Sequence, residues 1–171
     1  MKKGIFDSIK SYFEKKDMEY IFSGENAMFA LKIKLVFDTV DFLCRVDEKQ
    51  GIVELFSVLP LKCKAEARLI AESFLEGINS DSPAIYGAFR LSDMGGSMGD
   101  VFYHLAFVYD ENNFKDEVFE KYITHCLMLT DMNYLNIKRI FAGDLNDAEK
   151  SEYAEKIRKA LGLLGGNKNL N

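Results

Sequence analysis

The sequence predicts an α+β domain: one antiparallel sheet of about five strands with amphipathic helices packed on it, in the order α-β-β-β-α-β-β-α followed by a C-terminal helix. Three observations predict it. Apolar residues recur with a period of two in several stretches, the mark of a half-buried strand. Those stretches come in runs, separated by segments of three-and-four spacing, and this grouping argues against a parallel doubly wound sheet. With 171 residues, of which 48% are hydrophobic and 13% aromatic, the chain can build one self-sufficient core but not a second full domain.

Residues Lys3 to Asp17 set Ile5, Phe6, Ile9, Tyr12 and Phe13 on one helical stripe between lysines and glutamates. From Ala27 the period changes to two, with Phe29, Leu31, Ile33, Leu35 and Phe37 on one face. Asp38-Thr39 turns the chain into Val40 to Val46, where Val40, Phe42, Cys44 and Val46 share a face, and Glu48 to Gly51 turns it again into Ile52 to Leu59. Pro60, lacking a ladder donor, is expected to end that third strand. Lys64 to Ile78 returns to helical spacing through Ala67, Leu69, Ile70, Phe74, Leu75 and Ile78, and Asn79 to Pro83 reads as a loop. Ala84 to Leu91 and Val101 to Tyr109 read as a second hairpin, joined by the glycine-rich turn Met94 to Gly99. A long helix follows, capped by Asn112 or Asn113, with Asp116 and Glu117 in its first turn. Its stripe is Phe119, Ile123, Cys126, Thr130, Tyr134, Ile137 and Phe141, and Gly143 stops it. Residues 147–171 form the last unit, a helix over roughly Asp147 to Leu164 with Tyr153, Ile157, Ala160, Leu161 and Leu164 as its stripe, then a polar tail expected to fray. Residues 1–146 make up the α+β domain.

The charge balance, 22 bases against 27 acids, disfavours a nucleic-acid partner, because a phosphate backbone is repelled by it. Between Asp93 and Glu120 seven acids face the single base Lys115, which reads as an acidic rim including Asp110 and Glu111. No run of ~18 apolar residues can span a bilayer, and the start of the chain breaks into charges before a secretory apolar region develops, so a cytoplasmic protein without a membrane partner is expected. Cys44, Cys63 and Cys126 have no CxxC spacing and apolar neighbours, as reduced core thiols do.

No constellation amounts to an active site. His104 falls on a strand, facing opposite to Tyr103 and Leu105, and His125 on the polar side of the long helix. His125 and Cys126 are adjacent, but successive helical residues point about 100° apart, so they cannot face each other as a base and its thiol. The glycine-rich stretch from Asp93 to Asp100 lacks the following helix and the Gly-Lys-Ser/Thr end of a phosphate loop, and its acids lack the spacing of a calcium loop. No cofactor or metal site is expected.

More informative are apolar positions that the core does not require. Met128, Met132 and Leu135 recur at i, i+4 and i+7 on the side of the long helix turned away from its core stripe. The last strand likewise sets Phe102, Ala106 and Val108 opposite Val101, Tyr103, Leu105, Phe107 and Tyr109, implying a sheet at least partly covered on both sides. The C-terminal helix, a second copy of the chain or a client protein are the candidates to cover this surplus.

Particular stretches resemble the YbjN-domain family of bacteria: Ser57-Val58-Leu59-Pro60, Ile78-Asn79, Tyr86-Gly87-Ala88-Phe89-Arg90-Leu91-Ser92-Asp93, and Asp131-Met132-Asn133-Tyr134 through Phe141-Ala142-Gly143. Their order and spacing span roughly residues 5 to 149. The resemblance implies a fold like that of type III secretion chaperones, and members are labelled sensory transduction regulators. It supplies no catalytic residues. The glycine-rich tip from Asp93 to Asp100 departs from the short acidic turn the resemblance leads one to expect.

The function expected is therefore non-enzymatic protein binding, chaperone-like or regulatory, with Met128, Met132 and Leu135 as adaptable apolar anchors and Asp110 and Glu111 steering a basic partner, either a client or a second copy. The competing class is a small-ligand-binding or enzymatic domain with a pocket near His104, where Tyr103 or Tyr109 could present polar groups. Capture of a client segment by strand addition at an open sheet edge is a third possibility.

Overall fold

α1 (Ile5–Lys15) buries Ile5, Ile9, Tyr12 and Phe13, the stripe its spacing demands. The structure, a computed structural model, describes residues 4–81, 87–92, 98–109, 114–149, 151, 152 and 155. After α1 come β1 (Ile21–Ser23), β2 (Met28–Lys34), β3 (Thr39–Asp47) and β4 (Ile52–Lys64), a short 3-10 turn, α2 (Arg68–Asp81), β5 (Gly87–Leu91), β6 (Met98–Val108) and α3 (Asp116–Ala142). The strands form one antiparallel sheet in the order β1-β2-β3-β4-β6-β5.

The sheet has six strands rather than about five. The additional one, β1, is too short for any period to show. It is held by pairing with β2 and by Phe22, whose ring lies 4.7 Å from Phe6 and 5.4 Å from Phe29. A second correction concerns Pro60, which does not end its strand. β3 pairs with β4 only as far as Val58, and the β4–β6 ladder shifts register between Val58 and Lys62. Pro60 thus sits in a bulge, where its missing N–H costs no ladder bond, and β4 resumes pairing at Lys62. Met98 and Gly99, expected in the glycine-rich turn, are paired with Lys64 and Cys63; residues 93–97 lie outside the described residues. α2 runs on to Asp81, past the expected loop start at Asn79. Leu69, assigned to its core stripe, is 64% exposed, because two residues along a helix from buried Ala71 is a turn of about 200°. The expected caps of α3, Asn112 and Asn113, also lie outside the described residues; the N-cap is Lys115, with Asp116 and Glu117 in the first turn as expected. Gly143 ends α3 in the left-handed region, φ 76°, a conformation glycine adopts at little steric cost.

One layer of helices covers one face of the sheet. Phe29, Leu31, Phe42, Cys44, Val53, Leu55, Phe89, Val101, Tyr103 and Leu105 point into a single core with the stripes of α1 and α3 and with Ala71 and Leu75 of α2. All seven residues of the expected α3 stripe are buried. Cys44, Cys63 and Cys126 are free and buried, as read from their neighbours.

The other face carries no helix among the described residues. Its Leu43, Phe56, Val58 and Phe102 are half-buried, while Ala106 and Val108 are exposed, Val108 to 82%. These side chains shield one another in part, Phe56 lying 5.9 Å from Phe102 and stacking on His104 at 4.5 Å.

Candidate functional site

Helical geometry puts Met128, Met132 and Leu135 about 180° from the buried stripe of α3, and they are 48%, 67% and 51% exposed. α3 therefore has two apolar faces, one of them open to solvent among the described residues. The β2–β3 hairpin tip enlarges that open face. Its Val36 and Phe37 N–H groups donate to Asp131 Oδ1 at 3.1 and 3.4 Å, Phe37 stacks on Tyr134 at 6.3 Å, and the Tyr134 hydroxyl donates to Asp38 Oδ2. Asp131 lies between Met128 and Leu135 on the helix, so the docked tip brings Val36 (79% exposed) and Phe37 (48%) alongside them. Exposed apolar side chains gathered on one side of a protein are a feature of interaction surfaces. The period of two places Phe37 on the inward face of its strand, but β2 ends at Lys34 and Phe37 is exposed; that Val36 and Phe37 flank α3 is not legible in the sequence, since the spacing of β2 says nothing of what its tip rests on. Sequence reasoning did single out Asp131 to Tyr134, and the structure shows what two of these residues do: they hold the tip.

Electrostatics fix that contact. The Tyr134 hydroxyl, then the Thr39 N–H, hold the Asp38 carboxyl below the usual carboxylate range. The phenol is in turn pushed up to about 12, mainly by burial and then by its bond to Asp38.

The acidic rim is less charged than a count along the chain suggests. Asp116 pairs with Lys15 at 2.9 Å, Glu120 with Lys16 at 2.8 Å, and Asp100 with Lys62. These bases come from the end of α1, its C-cap Lys16 and β4, which a count confined to residues 93–120 cannot see. Asp110 and Glu111 lie outside the described residues.

His104 sits on the open face of the sheet, as expected, 3.2 Å from Glu54 Oε1 and stacked on Phe56. Burial lowers its pKa and outweighs the opposing pull of Glu54. A groove of about 580 Å³ does exist, but Tyr20, Ile21, Ala30, Lys32, Leu43 and Val58 are among the residues lining it, and His104 is not. His125 is not on a polar side: it is half-buried, its ring 6.4 Å from Tyr103. Burial pushes the Cys126 thiol up to about 12 and the Cys44 thiol higher still, so neither is a poised nucleophile. Among the described residues no three His, Cys, Asp or Glu side chains are grouped to hold a metal ion, and no helix is long and apolar enough to cross a membrane.

The two sheet edges differ. At β5, the Asn79 side chain accepts from the Phe89 N–H at 2.8 Å and donates to the Phe89 carbonyl at 3.0 Å, closing the edge as a neighbouring strand would. At the other edge β1 reaches only to Ala30. Bonds from Val46 N to Ala27 O and from Leu35 N to Asp38 O set the ladder phase, which turns the backbone groups of Lys32 and Lys34 outward, beyond the end of β1.

An antiparallel sheet backed on one face by α1, α2 and the long α3 is a YbjN-like α+β fold. The crystal structure of YbjN, a candidate transcription regulator from E. coli, superposes with a TM-score of 0.58 at 14% identity, covering 80% of this chain and 95% of that one. The structure of the HopA1-SchA chaperone-effector complex matches at a TM-score of 0.44 and 10% identity, over 72% of this chain and 88% of that one, too loosely to bear on function. No family model matches the sequence, and no curated protein does. At such identities the likeness to YbjN speaks for the fold alone.

Proposed function

We propose that this protein is a non-enzymatic protein-binding module whose partner docks on the outer face of α3 and the hairpin tip beside it. The observation that carries the reading is the exposure of Met128, Met132 and Leu135 on a helix whose opposite side already fills the core, with exposed Val36 and Phe37 on a hairpin tip bonded to Asp131 of the same helix. Met128 and Met132 suit such a surface, because an unbranched thioether adapts to an irregular partner. Asp110 and Glu111 are proposed to steer a basic partner toward it. The buried thiols, and a His104 engaged by Glu54 and Phe56, favour binding over catalysis.

The test is the double substitution Met128→Asp with Met132→Asp. The far-ultraviolet circular dichroism spectrum should be unchanged, since both side chains are exposed, while self-association by light scattering, or co-purification of a defined partner from the native host, is lost. Retention of the same mass and the same partner overturns the reading. A second reading, strand addition at the outward groups of Lys32 and Lys34 beside the groove, is favoured by the open edge of β2. Hydrogen exchange on the complex separates the two: strand addition protects the Lys32 and Lys34 amides, and helix-face docking shields residues 128–135.

A further inference from the structure

We propose that Met128 and Met132 form a reversible oxidation site, where a hydroperoxide converts both thioethers to sulfoxides and makes the outer face of α3 polar. Sulfur in this protein is divided by depth. Oxidation of a cysteine needs a thiolate within reach of solvent, and Cys44, Cys63 and Cys126 are all buried. Burial also disfavours the thiolate at Cys44 and Cys126. Met18 and Met28 are half-buried, the first packed against the core and the second paired in the sheet between Ser23 and Arg45. Met128 and Met132, by contrast, are 48% and 67% exposed. Among the described side chains they are the sulfur most open to an oxidant arriving from solvent.

Their spacing, i and i+4, puts both on adjacent turns of one side of α3. The buried side of that helix, from Phe119 to Phe141, holds no methionine, so a change on the outer side leaves the core packing as it is. In the oxidation, sulfur attacks one peroxide oxygen, and the S–O bond forms as the O–O bond breaks. The hydroxide released takes the proton left on the transferred oxygen and departs as water. A dithiol reverses the change: the sulfoxide oxygen leaves as water, the thioether returns and the dithiol becomes a disulfide. Each oxidation exchanges an adaptable apolar side chain for a polar one. Both fall beside Leu135, among the exposed apolar side chains of this face. Where the binding reading above holds, the same oxidation releases the partner.

The full chain, treated with hydrogen peroxide, is followed by peptide mass mapping and by retention on a phenyl column. Met128 and Met132 should gain oxygen at least about fivefold faster than Met18 and Met28, with all three thiols still titratable after denaturation. The oxidised protein should elute earlier at an unchanged circular dichroism spectrum, and methionine sulfoxide reductases with dithiothreitol should restore the retention. In Met128→Leu with Met132→Leu, two substitutions that keep helix propensity, peroxide should no longer shift elution. Equal rates at Met18, Met28, Met128 and Met132, loss of thiols before either sulfoxide forms, or unshifted elution after both have formed overturns the inference. Selective oxidation with earlier elution, in a protein that binds no partner, leaves this inference standing and removes the binding reading. Loss of a partner in Met128→Asp with Met132→Asp, without selective oxidation, does the reverse.

Discussion

Replacing Asn79 with alanine removes the two hydrogen bonds that close the β5 edge. The Phe89 N–H and carbonyl, reached at 2.8 and 3.0 Å in a half-buried setting, would lose their only described partner off the β6 ladder. An orphaned buried backbone group costs about 1 to 3 kcal/mol, and partial access to water puts each of these near the low end, for a total of about 2 kcal/mol. In a chain of this size that corresponds to a fall in melting temperature of roughly 4 to 8 °C. Urea unfolding followed by circular dichroism should show a lower midpoint at unchanged slope. Light scattering should also show concentration-dependent association, because a bare strand edge templates pairing between chains. Ser80→Ala is the control: its hydroxyl bonds the Glu76 carbonyl at 2.8 Å on the exposed surface of the same helix, and its loss should cost under about 0.5 kcal/mol. If Asn79→Ala unfolds with the wild type and stays monodisperse, the edge-closing role is wrong.

Three further outcomes are expected. Gly87→Ala should destabilise by about 1 to 3 kcal/mol in the same assay, since a Cβ there would meet the Tyr103 hydroxyl and the His104 carbonyl at 2.6 Å; wild-type stability would show that β5 shifts freely. Ser57→Ala should be neutral or stabilising by up to about 1 kcal/mol, because the buried Ser57 hydroxyl has no hydrogen-bond partner among the described residues, and a loss above that range would reveal one. Tyr134→Phe should raise the Asp38 pKa in a nuclear magnetic resonance titration, as the hydroxyl is the main cause of its depression. A carboxyl depressed in the fold stabilises above its unfolded pKa of about 4 and loses that contribution as the pH falls through the lower native value. Acidification through that window should therefore loosen the hairpin tip in the wild type, whereas in Tyr134→Phe the effect shrinks; an unmoved Asp38 titration refutes the coupling.

What local pattern can specify was legible in the residues. The stripes of α1 and α3, the inward face of β3, the stop at Gly143 and the surplus face of Met128, Met132 and Leu135 all follow from which side chains a period of 3.6 or two brings together, and burial honours those periods. Tertiary structure decided whatever depends on a neighbour distant in sequence. Pro60 is tolerated because β3 pairs with β4 only as far as Val58, β1 exists because Phe22 finds Phe6 and Phe29, and the acids of α3 are partly neutralised by Lys15 and Lys16 at the end of α1. Asn79 becomes an edge cap and Asp131 a clamp on the hairpin tip only once α2 lies beside β5 and α3 beside the end of β2. The reason is physical: periodicity tells a side chain which way to face, but its hydrogen bonds and ion pairs depend on what the fold brings within reach.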